Sequence, residues 1–299
     1  MATRLHTPYD GSSRLFEIGL KPLDPGQWIE VDEHLSAHLA EKDRLEAVHS
    51  QKVFAAEPGT EAAQAEVLAL LVEHLPRRFP DIYRRDGETI EIIPAKRHIS
   101  LTGAEPLRIA SHLVQEDLIL MRRGEPGWRL AAGALCFPSS WRLRDKFGLP
   151  IHEIHRPVPG FGAGTRPAEL IARMFDKLRP DMPVLRWNWS LYGDDQLFHP
   201  ESADPKRPRF GPGAHAESVF LRVERQTLRK LPMSSDILFT IRILVDPVTA
   251  LEHHSDAARI RAALVAQLEA LNSAQLDYKG LTLERDRLIA RLSAIGASR

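Results

Sequence analysis

Apolar and polar residues alternate from Val219 to Glu224, with Val219, Leu221 and Val223 pointing one way and Phe220, Arg222 and Glu224 the other. That is the period of a half-buried strand. Residues 225 to 231 read as a single helical turn that Pro232 ends, and Ile237 to Val245 reads as a second strand with Arg242 among apolar neighbours. Upstream, Val67, Leu68, Leu71 and Leu75 give the stretch from Glu61 to Leu75 one apolar helical face, which Pro76 and Pro80 are expected to stop. Thr89 to Ile93, Leu118 to Arg122 and Trp128 to Cys136 read as strands of an antiparallel meander, separated by turns such as RRGEPGW. Pro167 opens a second helix with Leu170, Ile171, Met174, Phe175 and Leu178 on its apolar face. Phe198 to Ala216 lacks any period and reads as a long surface loop near the ligand region. Beyond Pro247, Ile260, Leu264, Leu268 and Leu271, then Leu288, Ile289, Leu292 and Ile295, form apolar stripes hinged at Lys279-Gly280. These stripes are expected to pack on the core in preference to a homo-oligomer or partner interface.

The chain of 299 residues, 43% of them hydrophobic, can bury a sizeable core. Forty basic residues balance forty acidic ones, which gives no electrostatic reason to expect nucleic acid or an anionic membrane. Short basic runs such as KRPR at 206 to 209 read as solvated loops. No apolar run is long enough to span a bilayer, and MATRLHTPYDGSSR has no hydrophobic signal core, so a cytoplasmic protein is expected. The single cysteine, Cys136, forms no internal disulfide and fits a reducing compartment.

Arg242, in a strand as apolar as ILFTIRILV, requires an anion, since an unpaired buried charge costs several kcal/mol, roughly. That anion is either a carboxylate of the chain, such as Glu224, or a bound carboxylate or phosphate. The run ERQTLRKLPMSSDILFTIRILVDP (224 to 247) resembles the ERQTLRxLPxS and FTIRxYVDP blocks of the haem-dependent oxidative N-demethylase family. LVQEDLILMRR (113 to 123), GALCFPSSWRLRDKFGLPIHEIHRPVPGF (133 to 161) and VLRWNWSLYGDD (184 to 195) are similar to further blocks in the same order. FEIGLKPLDPGQWIEVDE (16 to 33) is similar to the family's opening. The chain departs from the pattern at Leu244, where the family block has tyrosine.

The resemblance implies an α+β fold, a PAS-like antiparallel sheet with flanking helices. Residues 16 to 250 would form the family domain and 251 to 299 a C-terminal helical extension. It implies haem b, held non-covalently in the absence of a CxxCH motif. A haem site requires an axial donor, an apolar slot and cations for the propionates. His155 in IHRPVPG matches the family histidine, and Cys136 is the rival donor, although a lone cysteine ending an apolar strand usually belongs to the core. Arg186, Arg225 and Arg242 lie in matching blocks and are the propionate candidates, with Trp187, Trp189 and Phe137 as aromatic walls. Glu224 is the candidate catalytic carboxylate for a cationic amine, with a salt bridge to Arg222 or Arg242 as the competing reading. The implied activity is oxygen-dependent demethylation of a small methylated amine, releasing formaldehyde. Electrons would come from NADPH through a separate flavin and iron-sulfur reductase, because the chain has neither a GxGxxG fingerprint nor a cysteine cluster. The alternative is a PAS-like haem sensor or carrier without turnover.

Overall fold

In the computed structural model the alternating run after Val219 does not turn into a helix at Arg225; it continues as one strand to Lys230. The structure describes residues 6–125, 127–202, 204 and 207–295. Lys206 of the KRPR run, Pro126 of the RRGEPGW turn and the first five residues of the N-terminal segment lie outside that description.

In chain order the elements are β1 (Lys21–Pro22), α1 (Leu35–Val53), β2 (Phe54–Ala56), α2 (Glu61–Arg78), β3 (Tyr83–Asp86), β4 (Thr89–Ile92) and β5 (Arg97–Ser100). There follow α3 (Pro106–Ser111), β6 (Asp117–Gly124), β7 (Gly127–Ala134), α4 (Leu143–Lys146), α5 (Ile151–Ile154), α6 (Arg166–Lys177) and β8 (Val184–Tyr192). The chain then forms β9 (Phe220–Lys230), β10 (Ile237–Pro247), α7 (Ala257–Glu269), α8 (Ser273–Lys279) and α9 (Arg285–Ala294). This is the mixed helix and antiparallel-sheet architecture expected.

A seven-stranded sheet runs β1-β8-β9-β10-β6-β7-β2, and a smaller sheet runs β3-β4-β5. Pairing of β9 with β10 along its whole length and with β8 from Phe220 to Leu228 holds residues 225 to 230 extended. Two rows of ladder hydrogen bonds outweigh the local preference of RQTLRK for a turn. Helix α2 likewise runs through Pro76 to Arg78, because the fully buried face at Val67, Leu71 and Leu75 holds the last turn in place despite the missing N–H.

The two faces of the large sheet differ. Its rear packs α1 to α3 and the small sheet over Leu118, Leu120 and Leu238 at one end. At the other end α7 to α9 pack over Trp189, Leu191, Leu221 and Val223, so the C-terminal stripes are spent on the core. Between these clusters lies a polar belt in which Arg225 faces Arg242 and Thr227 bonds Thr240 at 2.6 Å. The front face carries Ile119, Met121, Leu130, Leu228 and Ile241 beneath α6. Trp128 of β7 anchors that cover by donating its indole N–H to Asp176 of α6 at 2.8 Å. The segment from Phe198 to Ala216 forms no helix or strand among its described residues, but it is tied to the C-terminal helices. Arg209 N–H donates to Glu284 at 2.7 Å, and Arg287 donates to Gly211 O at 2.5 Å.

His74 on α2 is buried against Trp28, and desolvation, aided by Arg77 and Arg229, lowers its pKa to about 4. Between pH 6.5 and about 4 the unfolded chain therefore takes a proton here that the folded chain refuses, so this residue lowers stability as the medium is acidified. A His74→Gln variant should lose less of its urea midpoint between pH 7 and pH 5 than the wild type; equal losses would refute this account.

Candidate functional site

The front face encloses a cavity of about 230 Å³. Its floor is the sheet: Arg186 and Asn188 from β8, Glu224, Gln226 and Leu228 from β9, Phe239 and Ile241 from β10, with Ile119, Met121 and Leu130 beyond. Strand alternation puts these residues on one face. The register sets Asn188 opposite Glu224 and Arg186 opposite Gln226.

The cover comes from less regular structure. Helix α6, capped by Thr165 and started by Pro167, supplies Ile171, Met174 and Phe175. Helices α4 and α5 and the loop that follows supply Lys146, Ile151, Ile154, His155, Val158 and Phe161. Phe16, Ile18 and Leu20 close one side, and Tyr278 and Lys279 from the end of α8 close another.

His155 sits where α5 ends. Its N–H reaches Ile151 O at 3.0 Å, and its carbonyl accepts from Val158 N at 2.8 Å, in a loop stiffened by Pro157 and Pro159. Its ring meets Phe161 edge-on, with centroids 6.4 Å apart, and makes no hydrogen bond among the described residues. Desolvation, with the positive charges of Lys146 and Arg186, lowers its pKa to about 4, so the imidazole is neutral with a lone pair available.

Opposite polarity gathers on the floor. Glu224 accepts from Asn188 Nδ2 at 3.2 Å and from Gln226 Nε2 at 2.6 Å. Arg186 donates to Gln226 Oε1 at 2.9 Å and to Glu17 O at 3.1 Å, while its buried Nε has no partner among the described residues. The Lys146 ammonium lies over the Trp141 ring at 4.3 Å and makes no hydrogen bond among the described residues. Desolvation lowers both Lys146 and Lys279 to about 8, against the pull of Glu224.

The structure thus brings His155, Arg186 and Glu224 to one cavity and leaves Arg225 and Arg242 out of it. Glu224 and Arg225 are successive residues of one strand and must face opposite sides; Arg242 faces rearward in register with Arg225. Arg225 is spent on Trp28 O at 3.0 Å, on Gln27 O and on Glu30 at 2.9 Å. Arg242 pairs with Asp32, donates to Ile243 O at 2.6 Å and contacts His38 Nδ1 at 3.1 Å. Its anion is thus a carboxylate of the chain, but not Glu224. Nor does Glu224 pair with Arg222, whose guanidinium is spent on Ser139 Oγ and the carbonyls of Phe137, Pro138, Gln196 and Leu197.

Parity also removes Trp187 and Trp189, which alternate with Arg186 and Asn188; Phe137 lies in the front core, outside the lining. No described residue of the loop from Phe198 to Ala216 lines the cavity. Cys136 is buried away from it, with its thiol pushed up to about 12 by desolvation, so no thiolate forms. Lys146, Asn188, Gln226, Tyr278 and Lys279 are polar site residues that sequence reasoning missed. Lys146 was within reach, since it lies in the block that also contains His155.

These side chains fit a haem. One neutral, unengaged imidazole faces an apolar slot, and two cations with unused donors, Lys146 and Arg186, stand where a pair of carboxylates can be met. A family model described as "Haem-dependent oxidative N-demethylase, alpha subunit-like" matches residues 19–289, most of the chain.

Proposed function

As this chain belongs to the haem-dependent oxidative N-demethylase, alpha subunit-like family, we propose that its front cavity binds haem b and that the loaded protein demethylates a small methylated amine oxidatively, releasing formaldehyde. The observation that carries this reading is the His155 imidazole, neutral and without a hydrogen-bond partner among the described residues, facing an apolar cavity that also carries two cations and a carboxylate. We read the seven-stranded sheet with its helical cover as PAS-like.

His155, directed by the proline-stiffened loop, would supply the donor to the haem iron. Lys146 and Arg186 would hold the propionates, Lys146 replacing Arg225 and Arg242 in that role. The haem would supply the centre at which O₂ is activated for oxidation of the methyl group. Glu224 holds the substrate ammonium group and accepts its hydrogen bond, while the apolar cover of Ile171, Phe175 and Phe161 keeps bulk water from the reacting methyl. Electrons reach the site from NADPH through a separate flavin and iron-sulfur reductase, which the designation as an alpha subunit supports. No helix among the described residues is long and apolar enough to cross a membrane, which is compatible with a cytoplasmic setting.

The test is to express the chain with haem supplementation, record its Soret band, and supply a reductant, O₂ and a panel of secondary and tertiary methylamines. Formaldehyde in proportion to amine consumed is the expected result. A haem-loaded chain that yields none with any member of the panel would instead be a sensor or carrier.

A further inference from the structure

We infer that Lys279 and Arg186 are positioning residues that turn two side-chain amides toward Glu224, so that the C-terminal helix α8 completes the anionic anchor of the cavity. The inference rests on the reading of Glu224 as the group that holds the substrate ammonium.

An Asn or Gln amide can present either its oxygen or its NH₂ to a neighbour, and the choice is set by what each end meets. A carboxylate has only acceptors, whereas an ammonium or guanidinium group has only donors. Gln226 gives its oxygen to Arg186 Nη1 at 2.9 Å, which leaves its NH₂ for Glu224 Oε2 at 2.6 Å. Asn188 gives its oxygen to Lys279 Nζ at 3.5 Å, which leaves its NH₂ for Glu224 Oε1 at 3.2 Å. Each amide thus has a cation at one end and the same carboxylate at the other.

The strand pair alone supplies the first relay, because Arg186 and Gln226 are register partners on β8 and β9. The second needs α8. Lys279 is its last residue, held by a capping box of Asn272 and Gln275 at the helix start and by Gly280 at its end, in the left-handed conformation at φ 64°. Its ammonium is fixed by Trp189 O and Ser190 Oγ, each at 3.0 Å, so the weaker contact to Asn188 comes from a stationary charge. Two amide donors satisfy part of the carboxylate and leave its other lone pairs for a ligand N–H. If Lys279 lost its charge, nothing would keep the Asn188 oxygen away from Glu224, and two acceptors would then face each other.

The test uses the haem-loaded full chain, equilibrium binding of dimethylammonium and trimethylammonium by calorimetry, and the absorption spectrum as an independent readout. Lys279→Met is expected to weaken binding about tenfold while leaving the Soret band unchanged, on the scale of one charge-assisted hydrogen bond. Lys279→Arg should recover much of the loss. Asn188→Leu, which deletes the same donor from the other end, should match the Met variant and serves if that variant fails to fold. Unchanged affinity in Lys279→Met or Asn188→Leu, with Glu224→Gln impaired, would overturn the positioning role and leave the anchor reading intact. A wild type that binds neither ion, or a Glu224→Gln variant that binds as well as wild type, would overturn both. Loss of the Soret band in Lys279→Met would assign the lysine to the cofactor and overturn the inference.

Discussion

Replacing His155 by alanine is expected to abolish the Soret band of protein reconstituted with haem, or to weaken haem binding by roughly a hundredfold or more. Altering a group that merely supports a metal ligand typically costs 10- to 100-fold, so deleting the ligand itself should cost at least the upper figure. The expectation is strong because His155 is the sole histidine among the described residues lining the cavity. Met121 and Met174 also line it, and a retained band would assign the ligand to one of these thioethers or to another donor. Loss of the band in Cys136→Ser but not in His155→Ala would select the thiol. The buried setting and raised pKa of Cys136 argue for the opposite result. Far-ultraviolet circular dichroism should be unchanged in His155→Ala, because the residue's backbone bonds, not its ring, shape the loop.

The largest stability effect is expected at the rear of the sheet. Arg242 is 1% exposed, and its carboxylate partner Asp32 is 21% exposed. Asp32→Ala leaves the buried guanidinium with His38 and the Ile243 carbonyl as its hydrogen-bond partners among the described residues and with Glu116 and Glu30 as its remaining attracting carboxyls, and should cost about 3 kcal/mol, the lower end for a broken buried pair because water reaches the aspartate side and these carboxyls remain. The double variant Asp32→Ala/Arg242→Met removes the stranded charge and should regain part of that loss; urea denaturation of the four members of the cycle measures the coupling. Burial pushes Asp32 up, but Arg242 and the bonds from Gln115 and His34 outweigh it and hold the pKa below its ordinary 3.8. The sign follows: the stabilisation is fully present above about pH 4 and is lost as pH falls through the lower folded value. Asp32→Ala should therefore flatten the acid limb of the stability profile below pH 4, and an unchanged limb would show that the pair contributes nothing.

Locally encoded features were legible in the sequence. The alternation at Val219 to Glu224, the apolar face of α2 and the face of α6 behind Pro167 each follow from residues within a few positions of one another, and the helical, core-packed tail followed from its stripes. Failures arose where distant pairing decided. RQTLRK before Pro232 has the composition of a helical turn, and only the strands on both sides make it extended. That error concealed a rule the sequence did contain: once the run is one strand, Arg225 must lie across the sheet from Glu224. His155, Arg186 and Glu224 were reachable through the family blocks. Tyr278 and Lys279 were not, since nothing near them in the chain indicates that the end of α8 docks beside β8.

The order of strands across the large sheet bears on how the protein is made. The margins, β1 and β2, lie within the first 56 residues, while the middle strand, β10, is the last of all to leave the ribosome. Such a sheet cannot grow outward from a finished centre as synthesis proceeds; β2, β7 and β6 can pair early, but they join β1 and β8 only when β9 and β10 enter between them. Long-range closure of this kind makes for slow folding and transiently unpaired edges. Even a nascent chain complete to Pro247 has all its strands but lacks α8, and with it one wall of the cavity. His155, Lys146 and Arg186 all precede Pro247, but the floor that β9 and β10 complete exists only once both strands are in place, so the proposed haem is expected to enter late in synthesis or after it, and haem supplied late in expression should fill the protein as well as haem supplied throughout.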